Sequence, residues 1–186
     1  LADVGTRHHR DQIGAFAQID LERTKLALRE LRLVAGRKGG GDLIFARASA
    51  WPPGTPLAKL SPMRILLASD LHYRLRQFDW LARAASGFDV VVVAGDHVDS
   101  FLGVPVEVQV AAVGATLGAM SQATRVIVCS GNHDLDARNA DGEMAAAWVR
   151  RLRSQGVAVD GDTVQVGDTL FTVCPWWDGP ASRAAV

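Results

Sequence analysis

The sequence has few of the features that direct a protein to a membrane, to secretion or to nucleic acid. It contains no apolar run near the ~18 residues that a membrane span requires. Its first residues lack the apolar core of a signal peptide. The formal net charge is +0, so charge favours neither nucleic acid nor a membrane surface as a partner. We therefore expect a soluble globular protein.

Cysteine is also scarce, because Cys129 and Cys174 are the two in the sequence. Both lie in apolar, strand-like runs, so we expect two buried free thiols and not a disulfide. Free thiols fit a reducing, cytoplasmic setting. With 186 residues, the chain is long enough to form one domain with a substantial core.

The zero net charge conceals a difference between two parts of the chain. Residues 1–62 carry 10 basic and 6 acidic side chains, whereas residues 63–186 carry 10 basic and 14 acidic ones. The change falls at Met63, one residue before an apolar run. We therefore predict a domain over residues 63–186 that is preceded by an N-terminal extension over residues 1–62.

The extension is predicted to contain a helix and loops. The spacing of its apolar residues predicts a helix over residues 12–35 that ends at Gly36. The glycine run 39–41 and the segment Trp51–Pro56 are predicted to be loops. Two interpretations stay open. The extension is either an accessory helix with a basic contact surface or a segment that does not belong to the native domain.

From residue 64 onward, short apolar runs alternate with amphipathic segments. Strands are predicted over 64–69, 89–94, 125–130, 163–166 and 169–174, and helices over 74–86, from Pro105 onward and over 142–154. The last two strands flank Gly167-Asp168, which is typical of a hairpin turn. Such alternation predicts right-handed βαβ units and therefore an α/β fold with a parallel sheet.

Three of the predicted strands end in potential metal ligands. These endings are Asp70-Leu-His72, Gly95-Asp96-His-Val-Asp99 and Gly131-Asn132-His133-Asp134. Because the carboxyl ends of parallel strands share one edge of a sheet, we expect the three motifs to lie together. Crowded carboxylates repel one another unless a cation lies between them. Mixed Asp, His and Asn donors suit manganese, iron or zinc, and a shared carboxylate suggests two ions.

In this order, the three motifs resemble those of the calcineurin-like metallophosphoesterases, and the resemblance covers residues 63 to about 178. It implies a β-sandwich flanked by helices, an αββα fold. It also implies a hydrolase of phosphate mono- or diesters that uses a hydroxide bridging two divalent metal ions. Asp70 and His72 would bind the first ion. Asp96 would bridge both ions, and Asn132 would bind the second.

The resemblance further implies roles for residues around the ions. His133 would hydrogen-bond the phosphate and assist the leaving group, and Asp134 would orient His133. Asp99 would brace the loop around Asp96. His97 occupies a variable position of its motif, and we expect it at the rim of the site.

The sequence departs from the family pattern after His133, since no histidine follows it. The family has a lone histidine on a later strand and a Gly-His-x-His near its end. Without them, the first metal site would lack one ligand and the second site would be weak. The second sheet would be incomplete on its C-terminal side and would leave an apolar face exposed. We therefore expect an N-terminal part of a longer enzyme that is impaired on its own.

Two other functions stay open. One is a non-catalytic interaction module on the same fold, which the intact first three motifs disfavour. The other is a nuclease of the family's DNA-repair branch, whose opening the run from Met63 to Asp70 resembles. The acidic balance after Met63 and the lack of a basic groove disfavour nucleic acid without excluding it. The sequence does not determine the substrate, the metal or the oligomeric state.

Overall fold

The computed structural model of the chain describes residues 15–20, 28–38, 41–50 and 63–184. Within these ranges, the strands are β1 (Ala15–Asp20), β2 (Leu28–Lys38), β3 (Gly41–Ala50), β4 (Arg64–Ser69), β5 (Val90–Ala94), β6 (Arg125–Cys129), β7 (Ala137–Arg138), β8 (Met144–Ala145), β9 (Thr163–Val166) and β10 (Thr169–Val173). The α-helices in the same ranges are α1 (Leu75–Ala84), α2 (Val106–Met120), α3 (Ala147–Arg151) and α4 (Pro180–Ala184).

The first sheet has the strand order β1-β4-β5-β6. Strand β5 pairs in parallel with β4 and β6, while β1 pairs antiparallel with β4. Every residue of β5 is buried, which is why its sequence is a continuous Val-Val-Val-Val-Ala run without polar alternation. The predicted order of strand, helix, strand, helix and strand from residue 64 to β6 is confirmed.

One face of this sheet packs against α1, α2 and α3. Val91 and Val126 point to that side, where they join a cluster that contains Phe78 of α1, Leu117 of α2 and Trp148 of α3. The alternating residues of the same strands point the other way, because successive side chains of a strand face opposite sides. The first sheet is therefore buried on both faces.

The second sheet covers the other face and has the order β3-β2-β10-β9. Val90, Val92 and Ile127 of the first sheet pack with Phe171 and Val173 of β10. The expectation of an exposed apolar face is therefore wrong for these residues. Strand β10 pairs antiparallel with β9 and in parallel with β2, and β3 pairs with β2, so this sheet has four strands.

The predicted helix over residues 12–35 is also wrong. The structure has β1 and β2 in this region, while residues 12–14 and 21–27 lie outside the described ranges. Leu31, Leu33 and Ala35 are two residues apart, a strand period that the helical pattern obscured. Pairing with β3 and β10 favours the extended form over a weak helix propensity.

The two loops predicted in this part of the chain fall largely outside the described ranges. Strand β3 begins at Gly41, so the predicted loop is wrong for the last residue of the glycine run 39–41. The first two residues of the run and the segment Trp51–Pro56 lie outside the described ranges.

The helix predicted over 142–154 is shorter than expected. Met144 and Ala145 form β8, which pairs with β7, and α3 continues into a 3₁₀ turn over Leu152–Gln155. The Asp136 carboxylate accepts hydrogen bonds from the first amides of α3 and thereby sets its start. The other predicted helices and strands from residue 64 onward agree with the structure to within a few residues at their ends, whereas β7 and α4 have no counterpart in the prediction. No helix of the described residues is long and apolar enough to cross a membrane.

We expect Phe171→Ala to lower the free energy of unfolding by about 3–5 kcal/mol, because it leaves a cavity between the sheets. Phe171 is 1% exposed, whereas its neighbour Leu170 is 38% exposed on the opposite side of β10. Leu170→Ala is the matched control and should change stability by less than about 1 kcal/mol. Chemical denaturation of the full chain measures both variants. Equal losses would contradict the packing of β10 on the first sheet.

Candidate metal centre

The three polar motifs lie side by side at the carboxyl edge of β4, β5 and β6. The amide of Asp70 donates to the carbonyl of Gly95 at 3.3 Å, and the amide of His72 donates to the carbonyl of Asp96 at 2.8 Å. The amide of Gly95 donates in turn to the carbonyl of Cys129 at 2.9 Å. These bonds continue the parallel pairing beyond the strands, so the motifs meet as expected.

The backbone is strained at this edge. Among the described residues, non-glycine positions with positive φ are Asp70, His72, Tyr73 and Asp96, at 55°, 43°, 58° and 53°. Each such conformation costs about 1–3 kcal/mol and persists only where its surroundings enforce it. Here the interloop hydrogen bonds supply that constraint. Strain confined to candidate ligands and their neighbour indicates a functional site.

Two glycines allow the loops after β5 and β6 to approach each other. A Cβ atom added to Gly131 would collide with the backbone amide and the carboxylate of Asp96. A Cβ atom at Gly95 would lie 3.1 Å from the Cα atom of Gly131, and Gly95 itself has a φ of +75°. Only glycine fits this contact, which brings the Asp96 carboxylate against the loop that carries His133.

The structure gathers one group of metal-binding side chains at this edge. In the described part of the chain, His72, Asp96 and His133 each offer one ligand atom, and these atoms lie within 4.8 Å of one another. The two histidine rings meet edge to face with centroids 4.7 Å apart. Nδ1 of His72 is buried and has no hydrogen-bond partner among the described residues.

The electrostatics of Asp96 favour a cation. Burial raises the pKa of Asp96 above its ordinary value, and the nearby Asp134 carboxylate adds to this effect. A divalent ion would replace the solvation that the carboxylate has lost. A carboxylate and two imidazoles, one of which has an unpaired buried Nδ1, are a donor set that manganese, iron or zinc accepts. The residues present therefore fit a divalent metal ion.

Asp70 and Asn132 stand at the same edge. Asp70 follows β4 directly and is tied to Gly95 through its backbone. Asn132 begins the short 3₁₀ turn Asn132–Asp134, immediately after Gly131. Their positions agree with the sequence analysis, and their roles as ligands stay a prediction.

Asp99 faces both histidines of the site. Its carboxylate oxygens lie 3.9 Å from Nδ1 of His72 and 4.0 Å from Nδ1 of His133. The same carboxylate accepts a hydrogen bond from the amide of Phe101 at 2.9 Å. The Asp99 carboxylate therefore lies beside both histidines of the site, and its role in bracing the loop around Asp96 stays a prediction.

The prediction that Asp134 orients His133 is wrong. The Asp134 carboxylate accepts hydrogen bonds from Nδ1 of His97 at 2.7 Å and from the amides of His97, Val98 and Gly131 at 2.9, 3.3 and 2.8 Å. The 3₁₀ turn directs Asp134 into the interior, while the adjacent His133 faces the site. The carboxylate is thus occupied by the loop after β5.

The prediction of His97 at the rim is wrong as well, because this residue is 0% exposed. Its ring meets Trp148 edge to face at 5.6 Å, and Nε1 of Trp148 donates to the carbonyl of Asp134 at 2.9 Å. Burial alone would lower the pKa of His97, but Asp134 raises it above its ordinary value. Burial alone would raise the pKa of Asp134, but His97 holds it below its ordinary value. The two form a buried hydrogen-bonded pair behind Asp96, and the direction of both pKa shifts favours its ionised form.

A second buried carboxylate, that of Asp160, supports the loop after β6. It accepts a hydrogen bond from the amide of Ser130 at 2.9 Å. The Ser130 hydroxyl accepts one from the amide of Trp176 at 3.0 Å, so the segment after β10 is tied to the same loop. Burial raises the pKa of Asp160. Asp160 is not among the residues predicted from the sequence, because a lone aspartate outside any motif gives no indication of its contacts.

We expect His97→Leu to lower the free energy of unfolding by about 3–5 kcal/mol, since it leaves the Asp134 carboxylate buried without its cationic partner. Arg151→Leu is the control, because it removes an ion pair with Asp136 whose arginine is 66% exposed. That change should cost less than about 1 kcal/mol. Denaturant titration measures both variants, and similar losses would argue against a buried ion pair.

We expect Asp160→Asn to gain stability relative to the unsubstituted chain as the pH rises. A carboxyl group whose pKa is raised by folding makes the folded chain less stable as the pH rises. The loss begins near the unfolded pKa of 3.8 and continues up to the folded pKa. Asparagine retains an oxygen for the Ser130 amide but does not ionise. Denaturation from below pH 3.8 to neutral pH measures the difference between the two proteins. A difference that shrinks with rising pH would contradict the assignment.

A sequence model of the family described as calcineurin-like phosphoesterase matches residues 63–172, which is more than half of the chain. The match contains all three motif loops and begins one residue before β4. No curated protein matches the chain. Together with the α/β architecture and the donors gathered at the sheet edge, the match shows that the chain belongs to the calcineurin-like phosphoesterase family.

Proposed function

We propose that this chain carries the metal centre of a phosphoesterase that hydrolyses phosphate mono- or diesters at the carboxyl edge of the first sheet. The main support is the convergence of His72, Asp96 and His133, whose ligand atoms lie within 4.8 Å. Three residues distant in sequence meet there on strained or glycine-dependent loops. A solvent-exposed structural surface would not require such a backbone.

The proposed ligands divide between two divalent metal ions. Asp70 and His72 would hold the first ion and Asn132 the second, with Asp96 shared between them. When bound, manganese, iron or zinc would activate a water for attack at phosphorus and stabilise the phosphoryl oxygens. Asp96 and Asn132 are two protein donors for the second ion, so we expect it to bind more weakly than the first.

His133 and Asp99 would act on the substrate side of the site. His133 would donate a hydrogen bond to a phosphoryl oxygen or to the departing ester oxygen, which lowers the charge that develops there. The Asp99 carboxylate, 4.0 Å from Nδ1 of His133, would fix the ring so that its other nitrogen faces the substrate. The edge-to-face contact with His72 limits rotation of the same ring.

We expect Asp96→Asn to weaken the binding of Mn²⁺ to the full chain at least about tenfold, because it removes the charge at the centre of the donor group. Asparagine retains the oxygen that accepts the amide of His133, so the loop contact survives. Calorimetric titration with Mn²⁺ measures binding, and bis(p-nitrophenyl) phosphate measures hydrolysis. Asp79→Asn, at an exposed position of α1, is the matched control.

Three results would distinguish the functions. Loss of both metal binding and hydrolysis in Asp96→Asn, with both retained in Asp79→Asn, supports the proposal. Metal binding to the unsubstituted chain, with hydrolysis of mono- and diesters no faster than that by Asp96→Asn, would favour an interaction module. Unchanged Mn²⁺ affinity in Asp96→Asn would remove the assigned role of Asp96.

A further inference from the structure

The loop formed by residues 99–104, between β5 and α2, is held in place by a buried side chain. Gln109 of α2 is fully buried, and its Oε1 accepts a hydrogen bond from the amide of Asp99 at 2.8 Å. Its Nε2 donates to the carbonyls of Asp99 and Val104, each at 2.8 Å. One glutamine thus joins both ends of the 99–104 loop. A side-chain amide is tolerated in an apolar core when its polar atoms are hydrogen-bonded, as those of Gln109 are.

The fixed loop presents apolar side chains to solvent. Phe101 is 85% exposed and its neighbour Leu102 is half-exposed, although Phe78 and Phe171 are buried in the core. The Asp99 carboxylate holds the Phe101 amide, so the ring is displayed by a defined turn. Neither side chain belongs to a metal-binding motif, which ends at Asp99.

The exposed ring lies beside the candidate metal centre. The rings of Phe101 and His133 meet at a steep angle of 71° with centroids 6.0 Å apart. His133 is the residue proposed to contact the ester oxygen. Because the Phe101 ring contacts the His133 ring, a group attached to that oxygen would lie on the side of His133 where Phe101 is exposed.

We infer that Phe101 is a specificity-determining residue that binds the leaving group, and that the preferred substrates are phosphoesters of planar aromatic alcohols. The inference rests on the proposed function. Leu102 extends the apolar surface beyond the ring. Residues 99–104 contain no lysine or arginine, so this loop offers nothing to the further phosphates of a polyanionic substrate.

The kinetic test compares two esters that share the phosphate and the acidity of the alcohol, phenyl phosphate and hexafluoroisopropyl phosphate, with the Mn²⁺-loaded full chain. Phe101→Ala should lower kcat/KM for the phenyl ester about 3- to 10-fold and leave the alkyl ester within about twofold. Phe101→Trp should retain the preference, and Phe101→Leu should lose it. Trp80→Leu, at an exposed aromatic position on α1, is the control and should keep it.

Equal losses on both esters, or a preference that survives in Phe101→Leu, would overturn the assignment. Because Phe101 is exposed, thermal unfolding of Phe101→Ala should match that of the unsubstituted chain. A lower melting temperature would assign the side chain to the structure of the loop and so count against the inference.

A binding measurement separates this inference from the proposed function. Calorimetry should show that the metal-loaded chain binds phenylphosphonate about 3- to 10-fold more tightly than cyclohexylphosphonate, and that Phe101→Ala abolishes the difference. Such binding without hydrolysis of either ester would overturn the proposed function, while the binding of aromatic groups by Phe101 would stand. Hydrolysis of both esters without any dependence on Phe101 would overturn the inference, while the proposed function would stand. Absence of both binding and hydrolysis would overturn the two together.

Discussion

The buried carboxylate of Asp134 is the constraint on which the site depends. A negative charge in the interior is tolerated only when it is paired and hydrogen-bonded, and here the donors come from two loops. His97 and Val98 belong to the loop after β5, whereas Gly131 belongs to the loop after β6. Satisfying one carboxylate therefore fixes the distance between the two loops, and with it the position of Asp96 relative to the loop of His133.

The same constraint explains how strained residues persist. Left-handed conformations at Asp70, His72 and Asp96 cost free energy locally, and interloop hydrogen bonds offset that cost. Gly131 leaves no space for a side chain between the loops. The parallel sheet provides the rigid base, since β4 and β6 both pair with β5. The geometry of the candidate metal centre is thus enforced by the core behind it and not by the candidate ligands themselves.

The features that follow from local periodicity could be predicted from the sequence, and those that arise from long-range pairing could not. The runs that form β4, β5 and β6 are short, apolar and followed by polar motifs, so their shared edge is predictable. The extended form of residues 28–38 depends on pairing with β10, more than 130 residues away. Likewise, nothing near His97 indicates that it meets Asp134, because that contact exists only after the two loops come together.

In the proposed site, the loop at residues 99–104 separates the residues assigned to metal binding from the residue assigned to substrate choice. Asp99 connects the loop to the site. Its carboxylate faces His133, and its backbone is hydrogen-bonded to Gln109. Its neighbours in the loop are free to vary in side chain without disturbing the strands that carry the donors, because the fixing contacts are made through backbone atoms. Phe101 and Leu102 are adjacent exposed apolar side chains, and the contact of Phe101 with His133 places them beside the candidate metal centre. The hydrogen bonds from Gln109 and Asp99 fix the backbone of this loop, so little loop ordering would be required when a ligand meets the ring.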